Sequence, residues 1–257
     1  GFGVFASALE GGGTVRALTA KNAVSVLTRK EVDKLTEFVR GIGAKGLAWV
    51  RWTEENIASS FGKFLTEEEM TRLLTAAGAE KGDVVLIVAD TVKKHVLTTL
   101  GALRVELANK LSIEKKGLGL LWITAFPFFE WYEESQQYVA MHHPFTAPLD
   151  ECIPYLDSEP DKVYAKAYDL VLAGVELASG SIRITDPELQ GRMFRALGLS
   201  DEEAHEKFGF LTDAFQYGAP PHGGLGIGLE RLTMQLCGLD NVRYACLFPR
   251  DLSRLEP

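Results

Sequence analysis

The sequence predicts an α+β fold: an antiparallel sheet with helices over residues 117–257, preceded by a separate small α/β unit over residues 1–116. Three observations carry this expectation. Strand and helix signals alternate up to about Leu111, β-rich runs dominate beyond Gly117, and the polar stretch "SIEKKG", Ser112 to Gly117, lies between them as a linker.

In the first unit "TVRALTA" reads as a strand. Thr28 and Glu31 form a capping box ahead of a helix in which Val32, Leu35, Val39 and Ile42 keep helical spacing. "GLAWVRW" is the next strand. A second capping box, Thr66 with Glu69, opens "MTRLLTAAG", and "DVVLIVAD" supplies a short, fully apolar strand. A longer helix from Thr91 to about Leu111 aligns Leu100, Leu103, Leu107 and Leu111. In the second unit "LGLLWIT", "YVAMHH", "AYDLVLAGVELASGSIRI" and "GGLGIG" read as strands. Helices are expected in "DPELQGRMFRALG", where Asp186 caps and Pro187 opens the first turn, and in "SDEEAHEKFGFLTDAFQYG". No internal repeat is visible.

Composition narrows the classes of function. The 257 residues are 46% apolar and 24% charged with a net charge of −8, and no run of five like charges occurs, so nucleic acid would have to be met by a local patch. The longest apolar run, "GLGLLWITAFPFF", is too short and too interrupted by proline to span a bilayer, and no charged-then-apolar leader opens the chain. A cytoplasmic protein is expected. Cys152, Cys237 and Cys246 are widely spaced, with no C-x-x-C pairing, and are expected to be reduced, buried thiols.

The hairpin centred on Ala173 and Gly174 holds the first candidate site. With these residues as the turn, Val171 pairs with Glu176, and Asp169 lies on the same face two residues along its strand. The carboxylates are then about 7 Å apart. From that spacing both reach one hard divalent ion of the kind that holds nucleotide phosphates. Two solvated strand carboxylates are the alternative, disfavoured by the apolar neighbours in "LVLAGVEL". Arg183, seven residues after Glu176, falls on the opposite face of a straight strand, but a bulge in "ASGS" resets the phase. Its donor fork suits a carboxylate, with a surface salt bridge as the competing reading. In "MHHPFT" the adjacent His142 and His143 point to opposite faces, so they do not chelate one metal together. One of them faces a ligand or serves as a hydrogen-bonded core imidazole.

"PPHGGLGIGLERLTMQLCG" is the second candidate. Alternation puts Gly224, Gly226 and Gly228 on one bare strand face, a platform for something flat. Leu229, Leu232 and Leu236 are expected to anchor the following helix to the core. Arg231 then stands in its first turn, able to stack on a planar base or reach a phosphate. Neither the dinucleotide fingerprint nor a G-x-x-x-x-G-K-[ST] loop is present.

Together these residues closely resemble the bacterial-type aspartyl-tRNA synthetases, class II enzymes that activate aspartate with ATP and transfer it to tRNA. "GLGIGLERL" resembles class II motif 3, and "AMHHPFTAP", "AYDLVLAGVELASGSIRI" and "HEKFGFLTDAF" match further family signatures in order. The resemblance covers essentially the whole chain. It implies that residues 1–116 are the insertion domain shared with a tRNA-dependent amidotransferase subunit, and that residues 117–257 are the C-terminal part of the class II catalytic domain. By the same resemblance Glu176 contacts ATP and magnesium, Asp169 is the second metal carboxylate, and Arg183 reads the aspartate side chain. His142, with His143, lies near the aspartate. Gly228, Leu229, Glu230 and Arg231 form the ATP contact of motif 3, and Glu176 and Arg231 carry catalysis. The partners implied are L-aspartate, ATP and tRNA(Asp), in a homodimeric full-length protein.

The chain departs from the family pattern at Ala173 (often asparagine), Ala125 (acidic), Thr185 (histidine) and Glu230 (aspartate in the common bacterial form). The anticodon-binding barrel, motif 1 and motif 2 are not in these residues. The expectation is therefore a C-terminal half, a poor catalyst by itself, with an ending, "LFPRDLSRLEP", more like archaeal relatives. A non-catalytic relative that binds tRNA or a partner is the alternative, and a sensor built on the aspartate pocket is a third.

Overall fold

Val84–Asp90 shows how the first unit is built, because this strand is apolar on both of its faces. The computed structural model describes residues 2–114, 116–132 and 134–250. Its contacts divide the chain into two units, Gly1–Lys115 and Lys116–Pro257, here taken in turn. The final residues of "LFPRDLSRLEP", 251–257, lie outside the described residues, as does Lys115 in the expected linker.

The first unit runs α1 (Gly3–Glu10), β1 (Thr14–Ala20), α2 (Arg29–Gly41), β2 (Ala48–Trp52), β3 (Ile57–Ser59), α3 (Glu67–Ala76), β4 (Val84–Asp90) and α4 (Lys93–Lys110). The strand order is β1-β4-β2-β3, with every pairing antiparallel. The sheet is therefore not the parallel one that strand–helix alternation usually builds, because β4 inserts between β1 and β2. Val84, Leu86 and Val88 pack with Leu35, Val39, Leu103 and Leu107 of α2 and α4, while Val85 and Ile87 pack with Phe61, Met70 and Leu74 on the other side. A strand buried on both faces has no polar alternation.

Local signals hold with two exceptions. The Thr66 box is complete, and Glu69 is held below the usual carboxylate range chiefly by the Thr66 backbone N–H. At Thr28 only half the box forms. The hydroxyl accepts from the Glu31 N–H, but the Glu31 carboxylate turns to Lys34 and Lys110. Ile42 is exposed at the helix end, while Val32, Leu35 and Val39 are buried.

The second unit comprises β5 (Leu120–Pro127), the hairpin β6 (Phe129–Tyr132) and β7 (Gln137–Ala140), β8 (Tyr164–Leu172), β9 (Val175–Ile182), α5 (Pro187–Ala196), α6 (Asp201–Phe215), β10 (Gly223–Ile227) and α7 (Leu229–Leu236). One antiparallel sheet has the order β10-β9-β8-β5. Its core includes Phe128, Leu156, Val163, Ala165, Ile184 and Met193. The strand expected through "YVAMHH" ends at Ala140, so both histidines sit in a bend before Pro144. The β8–β9 turn is Ala173–Gly174, both at positive φ (49° and 84°), the two-residue hairpin geometry that glycine and asparagine favour. Ala125 also has a positive φ, 55°, where the β5–β8 register shifts. Among the cysteines only Cys152 is buried. Cys237 is exposed and Cys246 partly so, which corrects the expectation of three buried thiols. No helix among the described residues is long and apolar enough to cross a membrane.

Two stability tests follow from these positions. Ala173→Asn relieves a left-handed alanine and is expected to raise the unfolding free energy by about 1 kcal/mol, read as a higher urea midpoint with an unchanged slope. Buried Asp83 accepts from the backbone N–H groups of Asn22 and Glu80 and from Lys21 Nζ at 2.9 Å. Burial pushes its carboxyl up, but Lys21 and the two N–H groups outweigh this and hold it below the usual range. Its contribution is thus present above the ordinary carboxylate pKa and is lost as pH falls through the depressed value. Asp83→Ala is expected to cost about 1–3 kcal/mol at pH 7. The gap to wild type should narrow in urea titrations repeated in acid.

Candidate functional site

Register decides which side chains share a face. Val171 lies opposite Glu176 and Leu170 opposite Ala178, so Leu177 is an extra residue on β9. This is a bulge, one residue earlier than the expected "ASGS". It shifts the phase so that Glu176, Ser179, Ser181 and Arg183 share the face of Asp169. One cross-strand row reads Ile123, Asp169, Ser179, Gly226, and the next places Ala167, Ser181 and Gly224 side by side. Side chains along the first row shrink from isoleucine to glycine.

The bare glycine face is open space. A Cβ built on Gly224 or Gly226 meets nothing within 4 Å, whereas one on Gly180 runs into the Gly224 carbonyl oxygen at 2.1 Å. Gly180 is therefore a close-approach glycine, and Gly224 and Gly226 are the platform. A cavity of about 410 Å³ lies over this region, its lining including Glu176, Ser179, Gly226, Gly228, Glu230 and Arg231. The Gly228 N–H donates to the Leu177 carbonyl at 2.9 Å, so it is committed to the sheet.

Arg231 extends back from the first turn of α7 to Glu176. Its Nη1 donates to the Glu176 backbone oxygen at 2.8 Å and to Oε1 at 3.3 Å. Both side chains are about half exposed, so this pair contributes at most about 1 kcal/mol and separates readily. α7 is not anchored as the leucine spacing suggested: Leu229 and Leu236 are each 68% exposed, and Met234 is the buried residue. The helix is amphipathic, but two of its three stripe leucines face outward and Leu232 is only partly buried.

Asp169 Oδ1 is buried and has no hydrogen-bond partner. An orphaned carboxylate oxygen on the face of a second carboxylate fits a hard cation. Among the described residues no group of three His, Cys, Asp or Glu converges to hold an ion. A two-carboxylate set suits an ion that keeps water or phosphate oxygens as its other ligands.

At the far end of β9, Arg183 is fixed by its backbone. Its N–H donates to the His222 carbonyl at 3.0 Å, and it bridges Thr146 on the other side. Arg183 Nη1 contacts the His143 ring at Nε2, with Nδ1 at 2.9 Å, and Nδ1 accepts the Phe145 N–H at 3.2 Å. Burial, then the charges of Arg183 and His142, hold the His143 imidazole below its ordinary pKa, so it is neutral at neutral pH. His142 is exposed, edge-on to Phe126 at 5.0 Å. The structure thus joins His143 to Arg183, and Arg231 to Glu176, and leaves His142 apart from both pairs.

Several residues here were missed in the sequence. Ser179 is reached by counting across the hairpin once the bulge is known. Gln190, fully buried on α5, donates Nε2 to the Pro144 carbonyl at 2.9 Å, and no local signal marks it.

Residues 17–252 match the family model described as tRNA synthetases class II (D, K and N). The chain is 51% identical over 252 residues to an aspartate–tRNA ligase of Clostridium botulinum (strain Eklund 17B), covering 97% of this chain and 42% of the relative. It is likewise 51% identical over 250 residues to an aspartate–tRNA(Asp/Asn) ligase of Caldanaerobacter subterraneus, covering 97% and 42%. The chain spans less than half the length of these curated relatives. Among solved structures, an aspartyl tRNA synthetase from Entamoeba histolytica aligns with a TM-score of 0.44 and 27% identity, covering 75% of this chain and 32% of that one.

The charge placement gives a direct test. In nitrogen NMR of the histidine rings His143 is expected to titrate below 6.5, and Arg183→Ala is expected to raise its midpoint by removing the adjacent cation. An unmoved midpoint would show that the guanidinium does not act on this ring.

Proposed function

This chain belongs to the class II tRNA synthetases (D, K and N), and from that premise we propose that it is the C-terminal half of an aspartate–tRNA ligase. Its reaction activates L-aspartate with ATP and transfers the aspartyl group to tRNA(Asp). The observation that carries the reading is the single face shared by Asp169, Glu176, Arg183 and the open Gly224–Gly226 platform. A nucleotide and a small acid laid on that face would lie side by side.

In this reading Arg183, backed by neutral His143, holds the aspartate side-chain carboxylate through a charge-assisted fork, with His142 at the rim. The substrate α-carboxylate attacks the α-phosphorus and pyrophosphate leaves. The terminal hydroxyl of tRNA then attacks the acyl carbon and AMP departs. Arg231 leaves Glu176 to stack on the adenine and meet the γ-phosphate, and Leu229 and Glu230 border the nucleotide with Gly228. Asp169 and Glu176 would hold magnesium, which supplies charge neutralisation for the phosphates. Residues 1–116 form the insertion domain of such an enzyme. The full-length protein is a cytoplasmic homodimer whose preceding segment brings motifs 1 and 2. The alternative, a non-catalytic tRNA- or partner-binding relative, is disfavoured because a binding module has no need of both the acidic pair and the two arginines.

Calorimetry on this chain tests the reading. ATP with magnesium is expected to bind, and Gly226→Val to weaken it by at least about tenfold, or 1.4 kcal/mol. The melting temperature should hold, since the added side chain enters open space. Arg183→Ala is expected to weaken L-aspartate about ten- to a hundredfold and leave ATP unchanged. ATP binding that tolerates Gly226→Val would remove the platform from the nucleotide site.

A further inference from the structure

We infer that Gln190 is a positioning residue for the acid-reading end of the site, acting through the Pro144 carbonyl on His143 and thereby on Arg183. The inference deepens the proposed function and rests on it for the identity of the ligand. Gln190 is 0% exposed on α5, among core side chains where a methionine or leucine would fit the surroundings better. Its Nε2 donates to the Pro144 carbonyl at 2.9 Å, while Oε1 is buried with no partner. A buried amide using one end only is costly to a core, and the end it uses falls on the bend that carries His143.

The surrounding contacts close into a ring. Arg183 directly follows β9, and the chain leads from it through Ile184 and Thr185 into α5, whose N-cap is Asp186. Gln190 projects from the first turns of that helix back to Pro144. From there the chain passes to His143, whose Nδ1 lies 2.9 Å from Arg183 Nη1. The Ile184 N–H donates to the Phe145 carbonyl at 2.9 Å, and the Phe145 ring packs edge-on against Phe208 and Phe194. These contacts hold the residues after His143 from one side. Gln190 holds the peptide at Pro144 itself, where no other described side chain hydrogen-bonds the carbonyl. Without it the bend keeps its aromatic anchor, but the imidazole loses the fixed peptide that sets its angle to the guanidinium.

Gln190→Met, which keeps the volume and removes the donor, tests this in the 257-residue chain. L-aspartate affinity by calorimetry is expected to fall about five- to tenfold with ATP affinity unchanged. The ring-nitrogen resonances of His143 should shift, while the melting temperature stays close to wild type. Equal loss for both ligands, or a His143 spectrum identical to wild type, would overturn the inference and leave Gln190 a core filler. In unaltered protein, titration with L-aspartate should move the Gln190 side-chain amide resonance, a measurement that needs no variant, and a static amide counts against the proposal. Should wild type bind no aspartate, the ligand reading fails, and the His143 spectrum of Gln190→Met alone decides the positioning role.

Discussion

The extra residue at Leu177 is the constraint on which the rest of the site depends. A regular strand puts residues seven apart on opposite faces, so without the bulge Glu176 and Arg183 would look in opposite directions. With it, Glu176, Ser179, Ser181 and Arg183 line one surface beside Asp169. The bulge also presents the Leu177 carbonyl to the Gly228 N–H, which ties the start of α7 to the same point. One inserted residue therefore sets both the direction of the arginine and the place from which Arg231 reaches the acidic pair.

Glycine does two opposed jobs in the same sheet. At Gly180 the absence of a side chain lets β10 come close, since a Cβ there would overlap the Gly224 carbonyl and crowd Tyr168 and Leu225. At Gly224 and Gly226 it leaves room above the sheet instead. The Tyr168 hydroxyl donates to the same Gly224 carbonyl at 3.1 Å and fixes β10 across β9.

The two ends of the site are held differently. Arg231 and Glu176 form a half-exposed pair whose separation costs little, which suits groups that must rearrange around a polyanionic ligand. Arg183 is held by strand hydrogen bonds on both sides and by a half-buried neutral imidazole. In the proposed function Arg183 would discriminate between small acids, a task that needs fixed geometry more than phosphate binding does.

The sequence by itself determined the order of elements, the change of character near residue 116, the Ala173–Gly174 turn with Val171 opposite Glu176, and two of the three bare glycines, since Gly228 follows the strand and has Arg231 and the Leu177 carbonyl beside it. Each of these is written in local periodicity or turn chemistry, which neighbouring residues decide among themselves. It misread what depends on distant partners. The bulge lies at Leu177 because β10 and β8 set the register on both sides of β9. Glu31 leaves its box because Lys110 is near it, and Leu229 and Leu236 of α7 face outward although their spacing is helical. "DVVLIVAD" read correctly as a short, fully apolar strand, but that β4 pairs antiparallel between β1 and β2 was not legible, since hydrophobicity reports burial and not strand direction. Gln190 gave no signal at all. A buried amide is meaningful only through the carbonyl it meets, and that carbonyl belongs to a bend 46 residues earlier in the chain.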